Sequence, residues 1–140
     1  MSYCTLQNMI DRYGEDELLS LSDRHQVGAI DTDVIDRAIA DAAGEIDGYL
    51  DGRYRLPVNP VPKVLERIAC DVARYYLYDD QVSEQVQKRY DDAVAFLKSV
   101  AKGDITLGID AVGAKPATGS NGAQMTTAPS VFSRKDNGFL

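Results

Sequence analysis

The sequence predicts a mainly α protein: a small helical bundle of about four helices, two of them long, carrying an extended C-terminal arm. Three observations predict it. Apolar residues recur at three- and four-residue spacing along most of residues 1–102. Capping residues, glycines and prolines punctuate those stretches. After Gly103 the composition turns to Gly, Ala, Thr, Ser and Pro. The domain organisation that follows is a helical domain at 1–103 and an extended arm at 104–140.

Thr5 is placed to cap a short helix in which Leu6, Met9, Ile10 and Tyr13 share one side and Gly14 is the stop. Glu15–Ser20 forms a second short piece, with its acids in the first turn, where the helix dipole favours them. Residues 22–28 are a polar loop. The strongest early helix starts at Asp31 or Thr32 and runs to about Leu50. Val34, Ile35, Ala38, Ile39, Ala42, Ile46, Tyr49 and Leu50 form its stripe, with Asp33, Asp36, Arg37, Asp41 and Glu45 off it.

Asp51-Gly52 signals a turn, and Pro57, Pro60 and Pro62 enforce extended backbone before the next helix. That helix covers 62–79, with Val64, Leu65, Ile68, Ala69, Val72, Ala73 and Tyr76 on one side. A further helix opens at Ser83 and reaches about Ala101, with Lys98 and Lys102 near its end and Gly103 closing it. Ile105–Ile109 has room for one short β element. Residues 111–130 offer too little apolar surface to offset the entropy of ordering them, and read as a linker or arm.

With 140 residues, 44% hydrophobic and 26% charged, the chain suits one domain with one modest core. The net charge is −7. It is unevenly placed: residues 1–102 hold 12 Lys/Arg against 19 Asp/Glu, and 103–140 hold three of each. An acidic surface repels phosphate backbones, which disfavours a DNA-gripping role. It also keeps a protein soluble. No stretch is long and apolar enough to span a bilayer, and Met1–Asp11 lacks the pattern of a secretory signal, so synthesis in the cytoplasm is expected.

Searching for reaction chemistry yields no site, and the expectation is a non-enzyme without metal or cofactor. Cys4 and Cys70 lie far apart in sequence without a Cys-x-x-Cys pair, so neither a zinc site nor a disulfide framework is indicated. Cys70 reads as a core filler. His25 is the single imidazole, on a polar loop, with no nucleophile in register. Asp31, Asp33 and Asp36 resemble the start of a calcium loop, but the glycine and later glutamate of that register are missing. The glycines at 113, 119 and 122 lack the strand and helix that a phosphate-binding loop needs.

The aromatics are more telling. Five of the eight tyrosines fall between Tyr49 and Tyr78. Tyr76 belongs to a core stripe. Tyr54, Tyr75 and Tyr78, with Arg53, Arg55 and Arg74 nearby, are candidates for a contact surface, since tyrosine and arginine are enriched at interfaces. A second helix of the same chain covering them is the competing reading. Phe132 and Phe139, with Arg134 between them, pose the same choice for the arm: fold back, or dock on a neighbour.

Taken in order, several features resemble a family of Mu-like phage and prophage structural proteins. They are the opening Tyr3-Cys4-Thr5-Leu6, the segment Ile46-Asp47-Gly48-Tyr49-Leu50-Asp51-Gly52-Arg53-Tyr54-Arg55-Leu56-Pro57, the helix from Pro62 through Ile68 to Tyr78, and Val131-Phe132-Ser133-Arg134. That family is similar to the helical head–tail connector (head completion, or adaptor) proteins of tailed phages. The resemblance implies a subunit of the virion that forms a homo-oligomeric ring beneath the portal, touching the portal and tail-side completion proteins. DNA would pass through without specific binding, and no membrane is involved. An acidic lumen suits such passage, and Asp36, Asp41 and Glu45 are the candidates to line it. The alternative is a monomeric or dimeric prophage-encoded helical protein-binding module.

Overall fold

The structure is a computed structural model that describes residues 2–78 and 81–109. Five helices account for most of it: α1 (Leu6–Tyr13), α2 (Glu15–Ser22), α3 (Thr32–Leu50), α4 (Lys63–Tyr78) and α5 (Glu84–Lys102). The mainly α class therefore holds, with three long helices rather than two.

Local chemistry sets the boundaries. The Thr5 hydroxyl accepts from the Asn8 N–H at 3.1 Å, and the Asn8 side chain accepts from the Thr5 N–H at 2.8 Å. This reciprocal box is worth on the order of 1 kcal/mol. Gly14, at φ +92°, breaks α1 from α2, because an L side chain rarely adopts that angle. Asp23 gathers the following loop by accepting from the N–H groups of Val27 (2.8 Å) and Gly28 (2.7 Å). Ser22, fully buried, accepts from the Asp31 N–H at 3.1 Å, and Asp31 in turn caps α3. Ser83 caps α5 through the Val86 N–H at 3.2 Å.

The core lies where α3, α4 and α5 meet. Ile35, Ala38, Ile39, Ala42, Ala43, Ile46 and Leu50 of α3 face Leu65, Ile68, Val72 and Leu77 of α4, and Val86, Ala93, Leu97 and Val100 of α5 close the third side. Each fully buried Leu, Ile or Val contributes roughly 1.5–3 kcal/mol of transfer free energy. α4 buries the widest arc, including Ala69, Cys70, Asp71 and Ala73, because α1 and α2 cover the side that α3 and α5 leave. Met9 and Leu18 are what those two short helices insert.

Cys70 fills the core as its pattern predicts, and Cys4 is buried beside it. The hydrogen bond to Cys70, together with burial, pushes the Cys4 thiol up from its ordinary range. Between α3 and α4 the proline-rich segment buries Tyr54 and Val58, and its Leu56–Pro57 and Asn59–Pro60 bonds are cis.

One expectation is corrected: residues 105–109 form no strand. The residues do alternate between half-buried (Ile105, Leu107, Ile109) and exposed (Thr106, Gly108), which is the period that suggested a β element. A strand needs a ladder partner, however, and the described residues supply none. Instead Gly103 ends α5 at φ +88°, the Asp104 N–H returns to the Ser99 carbonyl at 2.9 Å, and the Leu107 N–H donates to the Tyr54 hydroxyl at 3.1 Å. The compact unit runs to Ile109. The proposed arm beyond it lies outside the described residues.

Candidate interaction surfaces

Much of the polar chemistry is spent on bracing helices to one another. Glu45 of α3 accepts hydrogen bonds from the hydroxyls of Tyr76 (α4) and Tyr90 (α5), the latter at 3.0 Å. Tyr75 stacks on Tyr90 with centroids 3.9 Å apart and planes 12° from parallel. One carboxylate and three rings therefore tie the three long helices together. Burial, then the bond to Glu45, raises Tyr76 above the ordinary phenol range, and the same causes in the same order push Tyr90 up to about 12. Tyr3 makes a similar clasp to Asp47 and is likewise raised, first by burial and then by that bond.

A second knot joins α2 to α4. Arg74 grips Glu17 with both arms of its guanidinium, Nε at 2.6 Å and Nη2 at 3.0 Å, and lies over the Tyr13 ring at 4.4 Å. Tyr78 adds a hydroxyl to Glu17 at 3.2 Å. Burial alone would lower Arg74, but the Glu17 carboxylate outweighs it and leaves the guanidinium raised. Below it Asp71, 4% exposed, accepts from the Tyr13 hydroxyl at 2.7 Å and pairs with Arg67 at 3.7 Å. Tyr13 is raised as a result, by burial first and by Asp71 second.

Two adjoining cavities open over this knot. One, of 290 Å³, is lined by Arg12, Tyr13, Glu17, Asp71, Arg74, Gln85 and Arg89. The other, of 400 Å³, shares Asp71, Gln85 and Arg89 and adds Arg67, Lys88 and Asp92. An arginine-lined cleft on an acidic chain is the feature that reading the sequence missed. The spacing Arg67, Asp71, Arg74 on α4 is the signal that could have found it, since i, i+4 and i+7 share one helix face.

The candidate interface residues scatter. Tyr75 and Tyr78 are half-buried and engaged by Tyr90 and Glu17, so helices of the same chain cover much of both rings. Tyr54 is buried within its own domain. Arg53 is exposed at the far end of α5, where its Nε donates to the Ala101 carbonyl at 3.2 Å, and Arg55 is exposed. Phe132, Arg134 and Phe139 lie outside the described residues. Of the lumen candidates, Asp36 and Asp41 are exposed on α3, whereas Glu45 is the half-buried clasp described above. Among the described residues no group of three or more His, Cys, Asp or Glu side chains could hold a metal ion, and no helix is long and apolar enough to cross a membrane.

Comparison of the sequence with known proteins gives the family. The profile described as Bacteriophage Mu, Gp36 matches residues 3–126, and the chain belongs to that family. It is 37% identical over 141 residues to "Gene product J" of Escherichia phage Mu, covering 100% of both chains. It is also 36% identical over 139 residues to "Mu-like prophage FluMu protein gp36" of Haemophilus influenzae, covering 99% of this chain and 98% of that one.

Proposed function

We propose that this chain is a virion structural protein: a head–tail connector subunit that forms a ring under the portal as part of the DNA channel. The observation that carries the reading is a full-length match to Mu-type phage proteins by a chain whose described part is a braced helical domain. Its clasps hold the helices in a fixed relation, Glu45 with Tyr76 and Tyr90 joining the three long ones and Glu17 with Arg74 tying α2 to α4. A ring subunit needs that rigidity, because small errors in subunit shape accumulate around a closed ring.

In this reading the exposed acids of α3, Asp36 and Asp41, face the channel, and Glu45 stiffens the wall behind them. DNA then passes a surface that repels its phosphates rather than holding them. Portal and tail-side completion proteins are the neighbours above and below, and residues 131–140, with Phe132, Arg134 and Phe139, reach one of them or the adjacent copy. No reaction, metal or cofactor belongs to this role.

The test is assembly. Full-length protein, alone and with purified portal, is followed by native mass spectrometry and negative-stain imaging over a concentration series. Closed rings, alone or on the portal, are expected. Removing residues 110–140 is expected to leave a folded bundle that assembles less well. A chain that stays monomeric and ignores portal at every concentration would sink the connector reading, and rings with Asp36 and Asp41 on the outer wall would sink the lumen assignment.

A further inference from the structure

The charge of residues 1–102 is segregated. Five of their twelve Lys/Arg, namely Arg12, Arg67, Arg74, Lys88 and Arg89, line the paired cavities, beside the acids Glu17, Asp71 and Asp92. The rest of that stretch is strongly acidic. Within the cleft the three acids are already engaged: Glu17 by Arg74 and Tyr78, Asp71 by Tyr13 and Arg67, and Asp92 by Lys88. Arg12 and Arg89, by contrast, make no hydrogen bond or ion pair among the described residues. Two guanidinium forks from α1 and α5 therefore border one 290 Å³ cavity with their donors unused.

We infer that this cleft is a docking site for carboxylate side chains of a second copy of the same chain, with Arg12 and Arg89 as the receiving groups. Guanidinium forks match carboxylate oxygens two-to-two, which suits them better than a point charge would. The occupant follows from charge complementarity: the cleft is a cationic region on a chain whose remaining residues in 1–102 carry 16 acids against seven Lys/Arg, so an approaching copy presents mostly carboxylates to it. Such a contact pairs different patches on the two copies. It is therefore head-to-tail, the type that closes into a ring when the rotation permits. The inference deepens the connector reading, on which its biological setting rests.

Arg12 and Arg89 hold no hydrogen bond or ion pair among the described residues, and Arg12's place in the last turn of α1 is worth under about 1 kcal/mol, so the bundle tolerates their replacement. The experiment compares full-length wild type, Arg12→Glu/Arg89→Glu and Arg12→Lys/Arg89→Lys by sedimentation at about 50 and 500 mM salt, with thermal melts as the control for folding. Wild-type self-association is expected to weaken at least tenfold with salt. The Glu pair is expected to weaken it at least tenfold at low salt while still melting cooperatively, and the Lys pair, which keeps the charge but loses the fork, to fall between wild type and the Glu pair. A 1:1 mixture of ¹⁵N-labelled and unlabelled chain, coupled with a carbodiimide, is expected to join Lys88 to an Asp or Glu of the other copy.

Equal association by wild type and the Glu pair would overturn the inference. So would a wild type that is monomeric under every condition, or a cleft that binds inorganic phosphate or a DNA oligonucleotide through Arg12 and Arg89 while self-association ignores them. Portal-bound rings that survive Arg12→Glu/Arg89→Glu would remove the cleft and leave the connector reading standing. Cleft-dependent association without rings on portal would do the reverse.

Discussion

Replacing Glu17 by Ala removes the carboxylate that Arg74 grips at 2.6 and 3.0 Å and the acceptor of the Tyr78 hydroxyl. Arg74 is then left with a side chain 12% exposed and no counter-charge. Breaking a fully buried pair from one side costs about 3–5 kcal/mol. Here Glu17 is itself 24% exposed, so water screens the pair and can move into the gap. That argues for a smaller loss, about 2–3 kcal/mol. For a folded unit of this size, each kcal/mol moves Tm by roughly 4–8 °C, giving a fall of about 10–20 °C.

The cause is isolated by a double-mutant cycle with Arg74→Met, which keeps most of the side-chain volume over Tyr13. If the loss is that of an orphaned guanidinium, Glu17→Ala/Arg74→Met should be less unstable than the sum of its parts, with a coupling of about 2 kcal/mol. Chemical denaturation followed by circular dichroism supplies all four stabilities. The exposed pair Lys88–Asp92 is the internal comparison, and its loss should cost under about 1 kcal/mol. An additive cycle, or a Glu17→Ala cost as small as that of Lys88→Ala, would refute the claim that the knot braces α2 to α4.

Three further outcomes follow from the same contacts. Tyr3, Tyr13, Tyr76, Tyr78 and Tyr90 are all raised, and a phenol raised by folding stabilises below its unfolded value near 10; stability should therefore hold to about pH 9, fall as pH climbs from 10 towards 12, and show in a 295 nm titration as tyrosines that ionise together with unfolding. Gly103→Ala should cost about 1–2 kcal/mol in calorimetry because its φ of +88° is left-handed; the Arg53 guanidinium 2.9 Å from the added Cβ is the end of an exposed side chain that can swing aside, so adding Arg53→Ala should restore little of the loss. Leu97→Ala, at a fully buried position facing α3 and α4, should lose about 2–5 kcal/mol in urea unfolding, and a loss below 1 kcal/mol would contradict the placement of the core.

How much of this was legible in advance depends on the range over which each determinant acts. Thr5, Gly14, Asp31, Ser83 and Gly103 begin or end helices where their own chemistry dictates, because capping and left-handed glycine turns are settled within four residues of chain. The stripes of α3 and α4 read largely as core for the same reason: helical periodicity alone decides which residues share a face. Ile105–Ile109 misled because alternation is necessary for a strand but not sufficient, and the missing ingredient is a partner elsewhere in the chain.

The arginine cleft and the tyrosine clasps join residues 31 to 61 positions apart, such as Glu45 with Tyr76 and Glu17 with Tyr78. Nothing in local spacing pairs an acid with one tyrosine rather than another. By itself, then, the sequence determined the helical class, the capped boundaries, the core-facing stripes and the acid surplus of residues 1–102. Only the tertiary structure decided that Tyr75 and Tyr78 are largely covered by helices of their own chain, that Glu45 braces rather than floats, and that Arg12, Arg74 and Arg89 converge from three helices. The physical reason is that hydrogen bonds and charge pairs act over a few ångströms of space, and the packing of α1 and α2 on α4, and of α4 on α5, determines which distant residues come within that reach.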